Sequence, residues 1–438
     1  MKFRSTKLKS PPVSFRDAVM RCLPPDGGLY VPDQVVDIRH LFLHMDEKTS
    51  FHELVAAVAP SLLEGELNPV AASKLAASAF NFEPELIRLD EELSLLNLYK
   101  GPTGVFKDFG IAFLSAVLEE LIKDSEQAMI LSAARAVTGA SMAHAFNGRK
   151  GICLVLLYPS GQICGLDPGS FVGNGGNIIP IQIKGTLDDC QRLITETIND
   201  RKFAERHNVT SANTINSGRL LPQIFYYLYA FTQIKNYLSG ELVFSVPSGN
   251  FGNLIAGLYA WKFGMPVNGF IAAMNANNAF GDFIRGKPFI PHPLVTTNSP
   301  SLDVSVPSNY ERFASFYDEA PAVMRNIVHP ASIDNAATLK TIKSAWNKYK
   351  LYVDPHTAVA LAAAEKIIAE NDWKGHAHTI VLATGHPAKE LNLVKEATGQ
   401  ADGLRVPEPL LKLQKTCDPI AVIPPHLEAF EGAVASCF

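Results

Sequence analysis

Read for hydrophobic spacing, the chain changes character near residue 93. Before it, short helical patterns (14–22, 51–58, 69–80) flank a turn cluster, Pro24-Pro25-Asp26-Gly27-Gly28-Leu29-Tyr30-Val31-Pro32, and predict a separate, mostly helical N-terminal piece. After it, short unbroken apolar runs alternate with helical patterns. The runs at 93–99, 128–133, 152–158, 177–183, 242–246, 269–274 and 379–383 read as strands. They do not alternate polar with apolar, so each is expected to be covered on both faces. That predicts an α/β fold with parallel sheets, whose ligands bind beyond the carboxyl ends of the strands. Thr186 and Asp189 have capping-box spacing for a helix. Residues 405–438, with Pro424-Pro425, are expected to form a tail on the surface.

One stretch carries chemistry. Gly101-Pro102-Thr103-Gly104-Val105-Phe106-Lys107-Asp108-Phe109-Gly110 sets a lysine between two phenylalanines, after a turn and before a helix marked by Ile111, Leu114, Leu118, Leu121 and Ile122. Poor solvation there lowers an amine's proton affinity, as a Schiff-base lysine requires. The same residues also read as an ordinary lysine at a helix start, with Asp108 as its solvated partner.

A second stretch separates those readings. The apolar run 242–246 leads into Pro247-Ser248-Gly249-Asn250-Phe251-Gly252-Asn253 and then a helix over 254–263. Strand, glycine loop and helix start together make a phosphate cradle of inward N–H groups. The loop matches neither common nucleotide pattern. A reactive lysine plus a phosphate loop, with no metal motif, points to pyridoxal phosphate. Thr384, in Ala383-Thr384-Gly385-His386-Pro387-Ala388-Lys389, is placed to face a pyridine nitrogen. Asn213 and Asn216 could offer amides to the ring oxygen, although on local grounds the same segment reads first as a helix N-cap. Asp354-Pro355-His356-Thr357 has the form of a helix N-cap and would give an anionic substrate its donors.

Composition narrows the setting. A net charge of −4 without a basic run of five disfavours nucleic acid. The apolar runs are too short to span a bilayer, and the basic start meets prolines rather than an apolar segment. Six scattered cysteines without a CxxC pair read as thiols of a reducing, cytoplasmic compartment, and no third ligand stands at metal spacing from His356 and His386.

Seven motifs in order then resemble the threonine synthase family: SFRDAV with PPDGGLYVP, GPTGVFKDFG, SANTINSGRLLPQ, VPSGNFGNL, PSNYERF (307–313), DPHTAVA and ATGHPAK, spanning about 13–390. The resemblance implies pyridoxal-phosphate fold type II: two open parallel-sheet αβα lobes, tryptophan-synthase-β-like, with an extra N-terminal helical domain. On that basis the chain divides into 1–92, a catalytic region 93–404 with its smaller lobe near 111–225, and the tail. It further implies Lys107 as the Schiff-base lysine. Ser248, Gly249, Asn250, Phe251, Gly252 and Asn253 become the phosphate loop, with Thr384, Asn213 and Asn216 around the ring. O-phospho-L-homoserine and water would give L-threonine and phosphate, in a monomer or homodimer with neither nucleic-acid nor membrane partners.

The sequence departs from the family on the substrate side. Where T-S-G-D-T-G is usual, this chain has Ala134-Arg135-Ala136-Val137-Thr138-Gly139. The family's GKxS…QE segment is here 161–168, without its lysine and glutamine. Lys100 replaces a histidine, and Asn275-Ala276-Asn277-Asn278 replaces N-x-N-D. Arg135, Thr138, Lys100, His356 and Lys389 are therefore the candidate substrate contacts, with Arg135 or Lys100 as replacement phosphate binders. An amino-acid lyase or dehydratase of the same fold, or a cofactor-binding protein without turnover, are the alternatives.

Overall fold

The computed structural model of the chain describes every residue except 123–125, 135, 160–162, 239, 414 and 436–438; the side chains of 136 and 137 also lie outside it. Two parallel sheets organise it. The six-stranded sheet runs in the order Val328–Ser332, Gly269–Met274, Glu241–Pro247, Ala377–Ala383, Leu93–Asn97, Glu85–Arg88, parallel except for the last strand. The five-stranded sheet runs Thr210–Ser211, Ala128–Ala133, Ile152–Pro159, Ile178–Ile183, Ala421–Ile423, parallel throughout. Every residue of Ala128–Ala133, Gly269–Met274 and Ala377–Ala383 is buried. This two-sided burial is why those runs show no alternation in sequence.

The helices start where local chemistry says they should. Thr186 and Asp189 form the expected capping box of Leu187–Asn199, and Asp354 caps Pro355–Glu370 with proline in the first turn. The lysine helix, Lys107–Leu121, presses so closely on Arg219 that a Cβ added at Gly110 would meet the Arg219 carbonyl oxygen at 2.4 Å. Only glycine fits that crossing.

Two expectations need correction. The N-terminal piece is mostly helical, as expected, but it is not separate in packing. It holds an antiparallel sheet, Lys2–Ser5 between Val13–Ser14 and Tyr30–Pro32. Its helix Phe51–Leu62 shares one core with the lysine helix, with Phe51 and Phe109 ring centroids 5.6 Å apart. The segment expected as a surface tail is woven into the smaller lobe. Ala421–Ile423 extends the five-stranded sheet, Thr416–Cys417 pairs with Ile163–Cys164, and Phe430 and Val434 of the helix Leu427–Ala435 are fully buried beside Leu193 and Ile194. A strand of three residues next to two prolines has too little pattern to read.

The pieces meet at Arg312, which is 1% exposed. Its guanidinium donates to the carbonyls of Tyr30 (3.1 Å), Thr214 (2.6 Å) and Ile215 (2.6 Å), to Asn309 Oδ1 (2.7 Å) and to Ser217 Oγ (3.1 Å). Five N–H groups meet five neutral oxygens. Asn309 passes the restraint on, donating to the Asn250 carbonyl (3.0 Å), while the Ser308 N–H donates to Asn250 Oδ1 (3.0 Å).

Two outcomes follow for stability. Arg312→Met leaves the Thr214, Ile215 and Asn309 oxygens without the guanidinium, while the Tyr30 carbonyl keeps the Ser217 hydroxyl (2.8 Å), and is expected to cost about 3–5 kcal/mol in urea unfolding with an unchanged slope; a loss below 1 kcal/mol, roughly the scale of one hydrogen bond, contradicts the cage. Phe430→Ala is expected to cost about 3–5 kcal/mol, whereas a surface tail would tolerate it.

Candidate functional site

The lysine segment and the loop at 383–389 are laced together at the carboxyl ends of the six-stranded sheet. Phe106 N–H donates to the Thr384 carbonyl (3.0 Å), His386 N–H to the Gly104 carbonyl (2.9 Å), and Val105 bridges Gly385. Gly104 turns with a φ of +66°, a conformation glycine adopts without strain. Lys107 thereby becomes the first residue of its helix. Its Nζ donates to Thr138 Oγ1 at 3.2 Å. Burial, then the charges of Arg219 and Lys389, lower its pKa to about 7 against a weaker pull from Asp108.

Asp108 is not the solvated partner that one reading of the sequence offered. It is buried, and it accepts from Thr103 N–H (2.9 Å), Thr103 Oγ1 (2.6 Å) and Ser141 Oγ (2.6 Å). Burial raises its pKa despite those bonds. Its role is to fix the turn before Lys107 against the helix Ala136–Phe146.

The loop after Glu241–Pro247 carries unpaired donors. Ser248 is committed inward, its N–H to the Ala273 carbonyl (2.8 Å) and its hydroxyl to the Val246 carbonyl (2.8 Å). From Gly249 through Asn253, no backbone N–H has an acceptor among the described residues, although all but Asn250 are buried. Phe251 has a φ of +59°, at a cost of about 1–2 kcal/mol for a non-glycine residue. Its ring is clamped by Phe280, centroids 4.1 Å apart. Ser301 and Leu302 cap the loop from outside, so that a Cβ at Gly249 would meet the Ser301 carbonyl oxygen at 2.7 Å. A row of buried, unpaired N–H groups leading into the helix Gly252–Lys262 fits a phosphate. The Asn253 side chain is half engaged: its Oδ1 accepts from Tyr226 (2.7 Å) and Tyr227 (2.8 Å), while its buried Nδ2 has no partner among the described residues.

The remaining candidates divide. The Thr384 hydroxyl is in a buried residue at the strand end with no protein partner among the described residues, and so is available. Asn213 is largely engaged: its Oδ1 accepts from Ala133 N–H (3.0 Å) and its Nδ2 donates to the Ala133 carbonyl (3.1 Å). Asn216 is fully buried and structural. Its Nδ2 has the Val19 and Ser211 carbonyls as acceptors, both at 2.9 Å, and its Oδ1 accepts from Gly218 N–H as a helix cap. It leaves the ring-binding set, and the helix-cap reading stands.

On the substrate side, His356 Nδ1 meets Asp354 Oδ2 at 2.5 Å and its Nε2 accepts from Ser301 N–H (3.1 Å), so it ties the helix start to the lid over Gly249. Lys389 is brought next to Lys107; burial lowers its pKa to about 8 while Asp354 and Asp108 hold it up. Lys100 forms a half-exposed ion pair with Glu85 (2.9 Å). Thr138 meets Lys107, and Arg135 lies outside the described residues. His386 Nδ1 accepts from Ala388 N–H (3.1 Å), and no group of three metal-ligating side chains occurs among the described residues.

Three residues had no assigned role in the sequence reading. Arg219, Asn309 and Arg312 all lie in motifs already quoted, and for Arg219 the available signal was an arginine inside an otherwise uncharged motif.

Comparison with known proteins agrees with this geometry. The family profile described as "Threonine synthase N terminus" matches residues 2–80, and that described as "Threonine synthase, C-terminal" matches 357–434. Curated threonine synthases from Serratia marcescens (35% identical, covering 94% of this chain and 95% of that one) and Escherichia coli (32%, 91% and 92%) are similar. So are the crystal structures of the Escherichia coli enzyme (TM-score 0.86, 30% identical, the whole of both chains) and of a PLP-bound threonine synthase from Brucella melitensis (TM-score 0.87, 27%, 100% and 99%). Maize serine racemase, 17% identical over 80% of this chain and 94% of that one with a TM-score of 0.52, shares the fold alone. With relatives this similar along nearly its whole length, the chain belongs to the threonine synthase family.

Proposed function

We propose that the protein is a pyridoxal-phosphate-dependent threonine synthase, a lyase that converts O-phospho-L-homoserine and water to L-threonine and phosphate. The observation that carries this reading is the row of buried, unpaired N–H groups from Gly249 to Asn253, at the same end of the sheet as a lysine of lowered proton affinity. Those N–H groups would hold the cofactor phosphate, Lys107 its carbonyl carbon, and the Thr384 hydroxyl its ring nitrogen. Bound there, pyridoxal phosphate supplies the electron sink that makes the substrate α-proton removable.

The chain's own residues do the rest. Lys107, with its pKa lowered to about 7 and so partly neutral at that pH, takes a proton from the α-carbon and returns one along the carbon chain. Thr138 holds Nζ between those tasks. Lys389, Arg219 and Lys107 make this end of the cleft cation-rich. That suits a substrate carrying both carboxylate and phosphate, with Lys389, His356, Arg135 and Thr138 as its contacts. We place the enzyme in the cytoplasm: no helix among the described residues is long and apolar enough to cross a membrane, and no disulfide joins the described cysteines.

The test is a product assay on the pyridoxal-phosphate-loaded protein. O-phospho-L-homoserine is expected to give threonine and phosphate in equal amounts by proton NMR and phosphate assay. Release of 2-oxobutanoate would instead identify a lyase of the dehydratase kind, and no turnover a binding protein. Lys107→Ala is expected to lower the rate by about a thousandfold or more.

The lowered pKa gives a separate outcome. The neutral amine is the form that captures the cofactor. Capture by the cofactor-free protein is therefore expected to rise about tenfold per pH unit below about 7 and to level off above it. A rate still climbing near pH 10, the region of an ordinary lysine, would refute the lowered value.

A further inference from the structure

The chain buries two arginines beside the cleft and satisfies them differently. Arg312 has an acceptor for every N–H group. Arg219 is 4% exposed, yet it donates once, from Nη1 to the Ala212 carbonyl (2.7 Å). Its other four N–H groups have no acceptor among the described residues, and no described carboxylate pairs with it; Asp108 acts on it from further off. A buried guanidinium in that condition calls for further acceptors, and a bound anion supplies them together with a counter-charge.

Its position says what that group is. The Arg219 chain lies on the first turn of the lysine helix: a Cβ at Gly110, three residues after Lys107, would meet Arg219 Cγ at 3.2 Å. The Ala212 carbonyl it holds precedes Asn213, which is pinned to the end of the strand Ala128–Ala133. Among charged groups Arg219 acts most strongly on Lys107. The guanidinium thus shares the corner where Lys107 joins the cofactor. The amides that sequence offered for the ring oxygen are used elsewhere: Asn216 is saturated, and Asn213 keeps one N–H over.

We propose that Arg219 binds the ring oxygen of pyridoxal phosphate, the phenolic oxygen beside the carbon that Lys107 joins, and holds it as the anion. The bond is charge-assisted and uses donors that the protein leaves open. This inference rests on the cofactor assignment made above.

The test follows the visible absorption band of the cofactor-loaded protein as pH rises from neutral to alkaline. A cation beside the titrating group lowers its pKa. Arg219→Gln is therefore expected to move the spectral midpoint up by about one unit, a tenfold change in proton affinity, and Arg219→Lys to restore most of it. A midpoint in Arg219→Gln equal to the wild type overturns the proposal. So does a raised KM for O-phospho-L-homoserine with the titration unmoved, which would assign Arg219 to the substrate carboxylate. A second measurement needs no variant: a pyridoxal-phosphate analogue with its ring hydroxyl methylated is expected to bind the wild type at least about tenfold more weakly, and equal binding overturns the proposal. Failure of the wild type to develop a visible band with pyridoxal phosphate would instead sink the cofactor assignment.

Discussion

A charge buried without a counter-charge anchors this structure. Arg312 has no carboxylate partner, so its stability depends on five oxygens in fixed places. Those oxygens come from three parts of the chain: Tyr30 from the N-terminal sheet, Thr214 to Ser217 from the smaller lobe, and Asn309 from the segment that holds the glycine loop. Remove one part and the cation is left partly unpaired, so the three must form together. This explains why the N-terminal piece does not behave as an appendage. Its turn at Gly27-Gly28-Leu29-Tyr30 is as much a support of the cofactor loop as Asn250 is. A neutral cage has a second effect. It brings no carboxylate near the cleft, so nothing in the cage offsets the anion-binding character of the loop it supports.

The same economy of acids shapes the cleft. Arg219 and Lys389 both act on Lys107, and two of the nearby acids, Asp108 and Asp354, are occupied by other donors. Asp108 is held by Thr103 and Ser141, and Asp354 by Thr357 and His356. Neither carboxylate bonds a lysine. Had Asp108 paired with Lys107, the amine would keep its proton and lose its nucleophilicity. Successive residues of a helix point in different directions, so placing Asp108 directly after Lys107 keeps the carboxylate at the helix start but out of reach of Nζ. It also ties the lysine turn to the helix that opens the substrate-side loop, through Ser141.

How legible this was depended on the kind of signal. Ala128–Ala133 and Gly269–Met274 were readable to the residue, because strands buried on both faces appear as bounded apolar runs. Lys107 and the 247–253 loop were readable because their chemistry is local. Arg312 was not, since a lone arginine reads as surface and its five partners come from three distant segments. Ala421–Ile423 was hidden for a related reason: three residues beside two prolines join a sheet only because Ile178–Ile183 has an open edge to receive them. Asn216 shows the opposite error. Amides in a cofactor motif suggested the ring, but a fully buried amide beside the Val19, Thr210 and Ser211 oxygens must satisfy its own donors first.

The departures from the family pattern do not all carry the same weight. Asn275 Nδ2 donates to Asp303 Oδ1 (2.8 Å), Asn277 Nδ2 reaches the same oxygen (3.2 Å), and Thr297 Oγ1 donates to it at 2.7 Å. That network holds the 297–303 stretch whose Ser301 and Leu302 lie against Gly249. Asp303 thus supplies a carboxylate within the Asn275–Asn277 network, and the outer wall of the phosphate loop has its acid although position 278 is asparagine. Lys100, likewise, stands in a half-exposed pair with Glu85 rather than in the core of the site. The change from Arg135 to Val137 has no such counterpart. In formal charge it exchanges the family's acid for Val137 and adds Arg135, in the segment whose Thr138 touches Lys107. That change has the same sign as the cation-rich set of Lys107, Arg219 and Lys389, which suits an anionic substrate.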